Sequence, residues 1–369
     1  MSSPTPPPEI VAVAMSGGVD SSVAAALLVR QGLRVVGMTL QMRSSREASD
    51  GLRRAGCRTS RAVADAAAVA ERLGIPHVEV DAGSVFEREV AEPFVAAYLG
   101  GRTPNPCLAC NARVKFGLLL RQAAARGAAR LATGHYARLD RDAATGRLLL
   151  RRARDLRKDQ SYFLSGLSQG QLGAALFPLG ALRKAETRRL AAELGLPTAD
   201  APESQEACFA GGDYRAYLRR RAGGEFAPGA IRDVDGTLLG RHAGLPLYTV
   251  GQRHGLGLAS PRPYYVVRLE TGRNELIVGS ARDLDVSAVD LERVNPIAVP
   301  ELPGTLEVLA QLRSAGPAAA ATVRPQPGGR ARLVFESPQR AVAPGQAAVL
   351  YDAADPDLVV CSGIILPCS

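Results

Sequence analysis

The chain has no tryptophan, and only three of its 45 basic residues are lysine: Lys115, Lys158 and Lys184. No stretch approaches the roughly 18 apolar residues that a membrane-spanning helix requires, so no membrane partner is expected. The opening residues, MSSPTPPPEI, lack a basic segment followed by an apolar one and lack an Arg-rich amphipathic pattern. Residues 1–8 therefore read as a disordered tail, not an export or import signal, and the expected location is cytoplasmic. In a cytoplasmic chain of this size the six cysteines (Cys57, Cys107, Cys110, Cys208, Cys361 and Cys368) do not form a disulfide framework. Some are expected to do chemistry and others to be small core residues.

What is present is an ordinary globular composition, 46% hydrophobic over 369 residues, enough for two or three domains. The formal net charge of +9 favours a polyanionic partner. Where arginine is the default cation, a lysine marks a place that needs a compact point charge.

Residues 9–75 alternate strand and helix. EIVAVAM is a β-branched apolar run, DSSVAAALLVRQG a helix stopped by Gly32, RVVGMTLQM a second strand, and SRAVADAAAVAERLG a helix stopped by Gly74. HVEVD and RLATGHYA read as later strands, and KAETRRLAAELGLP as another amphipathic helix. Such alternation predicts a parallel sheet covered by helices. After about residue 205 the chain turns glycine-rich, with short strands and a DVDG turn signal. From about 286, TLEVLAQLR, ARLVFES and QAAVLYD alternate in period two, which points to a small antiparallel barrel or sandwich. In the first of these, Leu306, Val308, Ala310 and Leu312 share one face, and Glu307, Gln311 and Arg313 the other. The Ala/Pro/Gly stretch 314–329 reads as a long loop. The expected fold is thus α/β: a tail at 1–8, an N-terminal domain at 9–205 with a parallel sheet covered by helices, a small mixed central domain at 206–285, and a C-terminal antiparallel β-barrel at 286–369.

AVAMSGGVDSS (12–22) ends the first strand and opens the first helix. Adjacent glycines allow a tight turn that aims amides at an anion, Ser16 and Ser21 add hydroxyls, and the helix start adds its dipole. The loop lacks both the Gly-Lys-Ser/Thr ending of a Walker A motif and the spacing of a dinucleotide fingerprint. Asp20 is a poor phosphate neighbour unless Mg²⁺ stands between them. The full Ser-Gly-Gly-Val-Asp-Ser-Ser resembles the PP-loop of ATP pyrophosphatases, which hold the β,γ-pyrophosphate of ATP and transfer AMP to an oxygen.

TPNPCLACNARVKFG (103–117), ATGHYAR (132–138), KDQSYFL (158–164), ACFAGGDYRAYL (207–218), LYTVGQRHGLGL (247–258) and APGQAAVLYD (343–352) follow in that order. Together they resemble the tRNA-specific 2-thiouridylases over about residues 9–366. That resemblance implies an ATP-dependent sulfurtransferase that adenylates O2 of the wobble uridine and replaces it with sulfur, giving 2-thiouridine. It implies Cys208 as the persulfide carrier and Cys110 as the thiol that attacks it or otherwise assists release. It implies ATP contacts from Ala14, Met15, Ser16, Gly17, Gly18, Val19, Asp20, Ser21, Leu40 and Gly134. It implies tRNA contacts from Asn105, Pro106, Cys107, His135, Lys158, Asp159, Gln160, Arg313 and Gln346. The implied partners are tRNAs for Lys, Glu and Gln, and a cysteine desulfurase or sulfur-relay protein as donor. The chemistry is consistent: replacing a carbonyl oxygen needs a leaving group, a sulfur nucleophile and a resolving thiol, and the base must leave its stack to reach the ATP.

Three features depart from the family. Cys107 stands where many members carry Asp; Glu206-Ala207 stand where a Gly is usual two residues before the cysteine; and residues 43–57 are unusually basic. Cys107, Cys110 and Cys208 could also hold a 4Fe-4S cluster with one open iron, so persulfide and cluster routes both stay open. The basic stripe YRAYLRRR (214–221) binds RNA phosphates or is a solvated helix edge. Two other functions compete: a PP-loop amide ligase on a small carboxylate, which has no use for the cysteine pair, and a non-enzymatic RNA-binding protein with a structural metal at the Cys-x-x-C.

Overall fold

The computed structural model describes residues 9–42, 53–201, 209 and 213–367, with backbone alone over 53–60. The expectations for the 1–8 tail, Glu206, Cys208 and Cys368 lie outside the described residues, as does most of the basic stretch 43–57. The chain packs as two compact units, Met1–Val90 with Cys107–Gln205, and Ala91–Pro106 with Glu206–Ser369.

The first unit is built on a sheet of β1 (Ile10–Ala14), β2 (Arg34–Gln41), β3 (His77–Asp81), β4 (Arg130–Thr133) and β7 (Ala175–Leu176), in the order β3-β2-β1-β4-β7. All four pairings are parallel, as the strand–helix alternation predicts. β1 lies in the middle, so it is a continuous β-branched run, and Val11 and Val13 are fully buried. Helices Val19–Arg30, Arg53–Leu73 and Lys184–Glu193 bring Val23, Ala66, Val69 and Ala191 to the same core. β5 (Arg138–Arg141) and β6 (Leu148–Arg151) form a separate antiparallel hairpin.

The second unit holds a mixed sheet and a barrel. β8 (Gly229–Asp233), β9 (Leu238–His242), β10 (Tyr265–Glu270) and β11 (Glu275–Gly279) run in the order β10-β11-β8-β9, with only β8 and β11 parallel. DVDG makes the β8–β9 turn, where Asp233 Oδ1 accepts from the amides of Asp235 and Thr237. β12 (Asp285–Pro296), β13 (Leu306–Gln311), β14 (Ala318–Gln326), β15 (Arg330–Arg340), β16 (Ala347–Asp352) and β17 (Val359–Ile365) close a barrel in the order β12-β15-β14-β13-β16-β17. Every pairing in it is antiparallel. Period two holds: Val308, Ala310, Leu333 and Leu350 are buried in the barrel core.

The long loop expected at 314–329 is wrong. Residues 318–326 are β14, paired with β13 on one side and β15 on the other. Alanine has weak strand propensity, but between two strong neighbours the ladder and the burial of Ala321 and Val323 override it.

The Ala91–Pro106 segment joins the second unit through aromatic packing. Phe94 and Tyr98, on the helix Glu92–Leu99, meet Tyr217 and Leu218 on the helix Tyr214–Ala222.

Candidate active site

The glycine loop leaves the carboxyl end of β1 and enters the first helix at Gly18. Ser21 Oγ accepts from the Ser16 amide (3.1 Å) and donates to the Gly18 carbonyl (3.1 Å), closing the loop on itself. Ser22 Oγ also donates to Gly18 O (2.9 Å) and accepts from Thr198 Oγ1 (2.9 Å). Gly17 turns the chain at φ +70°, where a side chain is strained. The amides of Gly17 and Gly18 have no hydrogen bond among the described residues, and Ser16 is exposed beside them. Two unspent amides and a hydroxyl at a helix start form an anion cradle. Ala14, Met15 and Val19 are its buried or half-buried frame, and Leu40 is half-buried on β2.

Gly134 follows β4 and lies against the loop. A Cβ there would come within 2.6 Å of the Ser21 amide nitrogen, so only glycine allows the approach. Gly134 thus packs against the start of the first helix, beside Asp20 and Ser21.

Asp20 does not need the Mg²⁺ that the sequence suggested as its neutralising partner. Lys184 Nζ donates to both carboxylate oxygens (2.6 and 2.8 Å), and the Tyr136 hydroxyl donates to Oδ1 (2.9 Å). Tyr136 Oη also lies 2.9 Å from Thr187 Oγ1, one turn along the Lys184 helix. Lys184 is buried, and its amide is held by Asp155 Oδ2 (3.0 Å). The residues here fit a neutralised carboxylate rather than a metal ligand, and no step is assigned to Mg²⁺. Sequence reasoning singled out Lys184 only by its rarity, as one of three lysines, and gave it no role at the site.

The Cys-x-x-C opens a helix of unusual width. Residues Cys110–Leu119 form a helix with i→i+5 hydrogen bonds, and Gln171 Nε2 donates to the Ala112 and Phe116 carbonyls within it (2.7 and 3.0 Å). Asn111 Nδ2 donates to Phe163 O (2.8 Å). Wide helical turns need such outside support and recur at functional sites. Cys110 is buried and Cys107 exposed, so the two thiols have different access to solvent.

From the same helix, Lys115 Nζ lies 3.4 Å from His135 Nε2. Lysine only donates, so Nε2 is the acceptor and Nδ1 carries the proton that it donates to Thr133 Oγ1 (2.7 Å). Burial, and secondarily the Lys115 charge, hold the His135 pKa well below its usual value of 6.5. His135 is therefore a neutral, buried imidazole.

The other expected positions fall in three groups. Asp159 and Gln160 turn inward: Asp159 accepts from the Ala153 and Ser161 amides and the Ser161 hydroxyl, and Gln160 Oε1 from the Tyr136 amide. Burial raises the Asp159 pKa against those hydrogen bonds. Lys158 is half-buried beside them. In the second unit, Asn105 and Pro106 are half-buried, Arg313 is exposed past the end of β13, and Gln346 Nε2 donates to Thr103 O (2.8 Å). Cys208 lies outside the described residues, but its neighbour Phe209 packs edge-on to Phe94 and Tyr217, each at 5.2 Å. Among the described residues no three His, Cys, Asp or Glu side chains converge as a metal site.

A glycine loop on a parallel sheet, followed by a mixed sheet and a closed barrel, defines a class. Three family models match in that order: the tRNA methyl transferase HUP domain over residues 9–212, the tRNA methyl transferase PRC-barrel domain over 215–280, and the aminomethyltransferase β-barrel domain over 289–365. The chain is 50% identical over 354 residues to the tRNA-specific 2-thiouridylase MnmA of Moorella thermoacetica, covering 96% of this chain and 98% of that one. It is 48% identical over 356 residues to the enzyme of that name from Desulforudis audaxviator (96% and 98%), and 46% over 363 residues to that of Heliobacterium modesticaldum (97% and 92%). The chain belongs to the tRNA-specific 2-thiouridylase family.

Proposed function

We propose that the protein is an ATP-dependent tRNA sulfurtransferase that converts the wobble uridine of tRNAs for Lys, Glu and Gln to 2-thiouridine in the cytoplasm. One observation in the first unit carries this reading. The anion cradle, Gly134, His135, Lys115 and the Cys110 helix form one connected series, so a phosphate-binding loop and a buried thiol are tied to the same strand end.

Uridine O2 attacks the α-phosphorus of ATP and pyrophosphate leaves, while the loop amides hold the departing phosphates. The terminal sulfur of a Cys208 persulfide then adds to C2, and AMP departs with the original oxygen. Cys110 attacks the Cys208 Sγ, leaving sulfur on C2 and a Cys110–Cys208 disulfide. An external dithiol must reduce that disulfide, and a cysteine desulfurase or relay protein must renew the persulfide. The neutral His135 and the Lys184-bound Asp20 hold the geometry of this site and move no proton in the scheme.

The test is direct. Incubation with ATP, Mg²⁺, a persulfide donor and unmodified tRNA is expected to give 2-thiouridine on nucleoside mass analysis, with one AMP per sulfur. Cys110→Ser and Cys208→Ser are each expected to lower its formation by roughly 10³-fold or more. No 2-thiouridine under aerobic or anaerobic conditions would falsify the reading. Activity unaffected by Cys208→Ser would favour an amide ligase. Activity confined to a brown anaerobic preparation would replace the persulfide route with a cluster.

A further inference from the structure

We propose that the cavity between the start of the helix Tyr214–Ala222 and the loop 249–255 binds a phosphodiester of the RNA backbone through Arg215 and Arg253. The inference rests on the functional reading above, since it supplies that reaction's polyanionic substrate with a seat in the second unit.

The cavity lies wholly in the second unit, has a volume of about 550 Å³, and is lined by Arg215, Arg253, His254, Gln252, Thr249 and Tyr214, with Gly255 at its edge. Among the described residues no carboxylate lines it. A smaller cavity of about 260 Å³ shares Arg253 and His254 and adds Arg262 and Ser260, so the basic lining continues along the loop. Several arginines elsewhere in this unit are matched with acids, among them Arg219 with Glu225, Arg232 with Glu275, Arg268 with Glu270, and Arg332 with Asp290. Neither Arg215 nor Arg253 has an acidic partner among the described residues, and the Arg253 guanidinium has no hydrogen bond there.

The lining is also held in place. Arg215 Nε donates to Leu247 O (3.0 Å), and its guanidinium lies 5.5 Å from the centre of the Tyr214 ring, itself stacked on Tyr98 at 5.1 Å. One of five donors is spent on the carbonyl and four remain for a ligand. Gln252 bridges its own turn, accepting from the Thr249 amide and donating to His254 O (3.3 and 2.8 Å), and Gly255 closes the turn at φ +76°. Arg253 and His254 are therefore exposed side chains on a fixed loop.

The ligand's class follows from what is left. The amides of Arg215 and Ala216 already donate to Asp213 Oδ1, so the helix start is not the anion seat and guanidinium groups are. Tyr98 occupies one side of Tyr214 and Arg215 lies over its ring, which argues against base stacking there. A site that reads phosphate and not base contributes to every tRNA alike.

The experiment uses the full chain and unmodified tRNA, with filter-binding affinities measured between about 50 and 200 mM KCl. Arg253→Glu is expected to weaken binding about tenfold or more for every tRNA and to lower the log–log salt slope by about one. Arg253→Lys is expected to keep most of the slope, which separates lost charge from a misfolded loop. ATP affinity without tRNA is expected to match wild type; an equal loss of ATP affinity would assign the phosphate to the nucleotide and overturn the proposal. Wild-type affinity and slope in Arg253→Glu would also overturn it. A wild-type protein that binds no tRNA removes the functional reading first, and this site with it.

Discussion

The carboxyl ends of the central parallel strands and the closed barrel treat charge in opposite ways. At those strand ends, buried and half-buried polar groups are locked together: Lys184 with Asp20, Tyr136 with Asp20, and His135 with Thr133 and Lys115. In the barrel the core is apolar, and the charges pair across strands on the exposed side, Arg332 with Asp290 and Arg340 with Asp285. Buried polar groups gain strength from low dielectric only when every partner is present. The proposed chemistry therefore sits at those strand ends, where a displaced group is expected to change reactivity. The barrel's stability depends instead on apolar packing.

Four variants probe this contrast. The largest effect on folding belongs in the barrel: Leu333→Ala, at a fully buried position, is expected to cost about 2–5 kcal/mol in denaturant unfolding. Lys184→Met is expected to slow the proposed adenylation step about 100-fold, because the Asp20 carboxylate loses its cation beside the glycine loop. Pyrophosphate release, with unfolding measured in parallel, checks it; loss of stability alone with an intact rate would reduce Lys184 to a structural ion pair. Third comes acid sensitivity. The unfolded His135 takes up a proton near pH 6.5 and the folded one only at lower pH. Stability is therefore complete above about 6.5 and falls as pH drops below it. His135→Gln is expected to flatten that fall in unfolding curves at pH 7 and 5, and an unchanged slope would mean another group titrates. The smallest effect is at the barrel surface, where Asp290→Ala is expected to cost about 1 kcal/mol or less, since both partners of its ion pair are well exposed. A larger loss there would erase the distinction between the two regions.

Much of this architecture is legible in short stretches of sequence. The β-branched run before SGGVDSS, the glycine stops after the first two helices, and the period-two alternation of TLEVLAQLR each decide a local structure by backbone sterics or by one buried face. They appear as β1, the helices Val19–Arg30 and Arg53–Leu73, and β13. The stretch 314–329 misled because alanine carries little strand signal, and the ladder partners that make β14 are visible only once the barrel closes. The resemblance implied an ATP contact for Gly134 and a tRNA contact for His135. It did not foretell that Asp159 and Gln160 would spend their side chains inside the fold.

The sequence by itself determined the first strands and helices, the period-two strand β13, and the glycine turn at residues 15–21, because each depends on neighbours a few residues away. Only the tertiary structure decided that Lys184 neutralises Asp20 across 164 positions, and that Ala91–Pro106 packs with the second unit. It alone made Cys110 buried and Cys107 exposed. The physical reason is common to all three. Charge pairing and burial depend on distance in space, and a sequence fixes that distance only after the whole chain has packed.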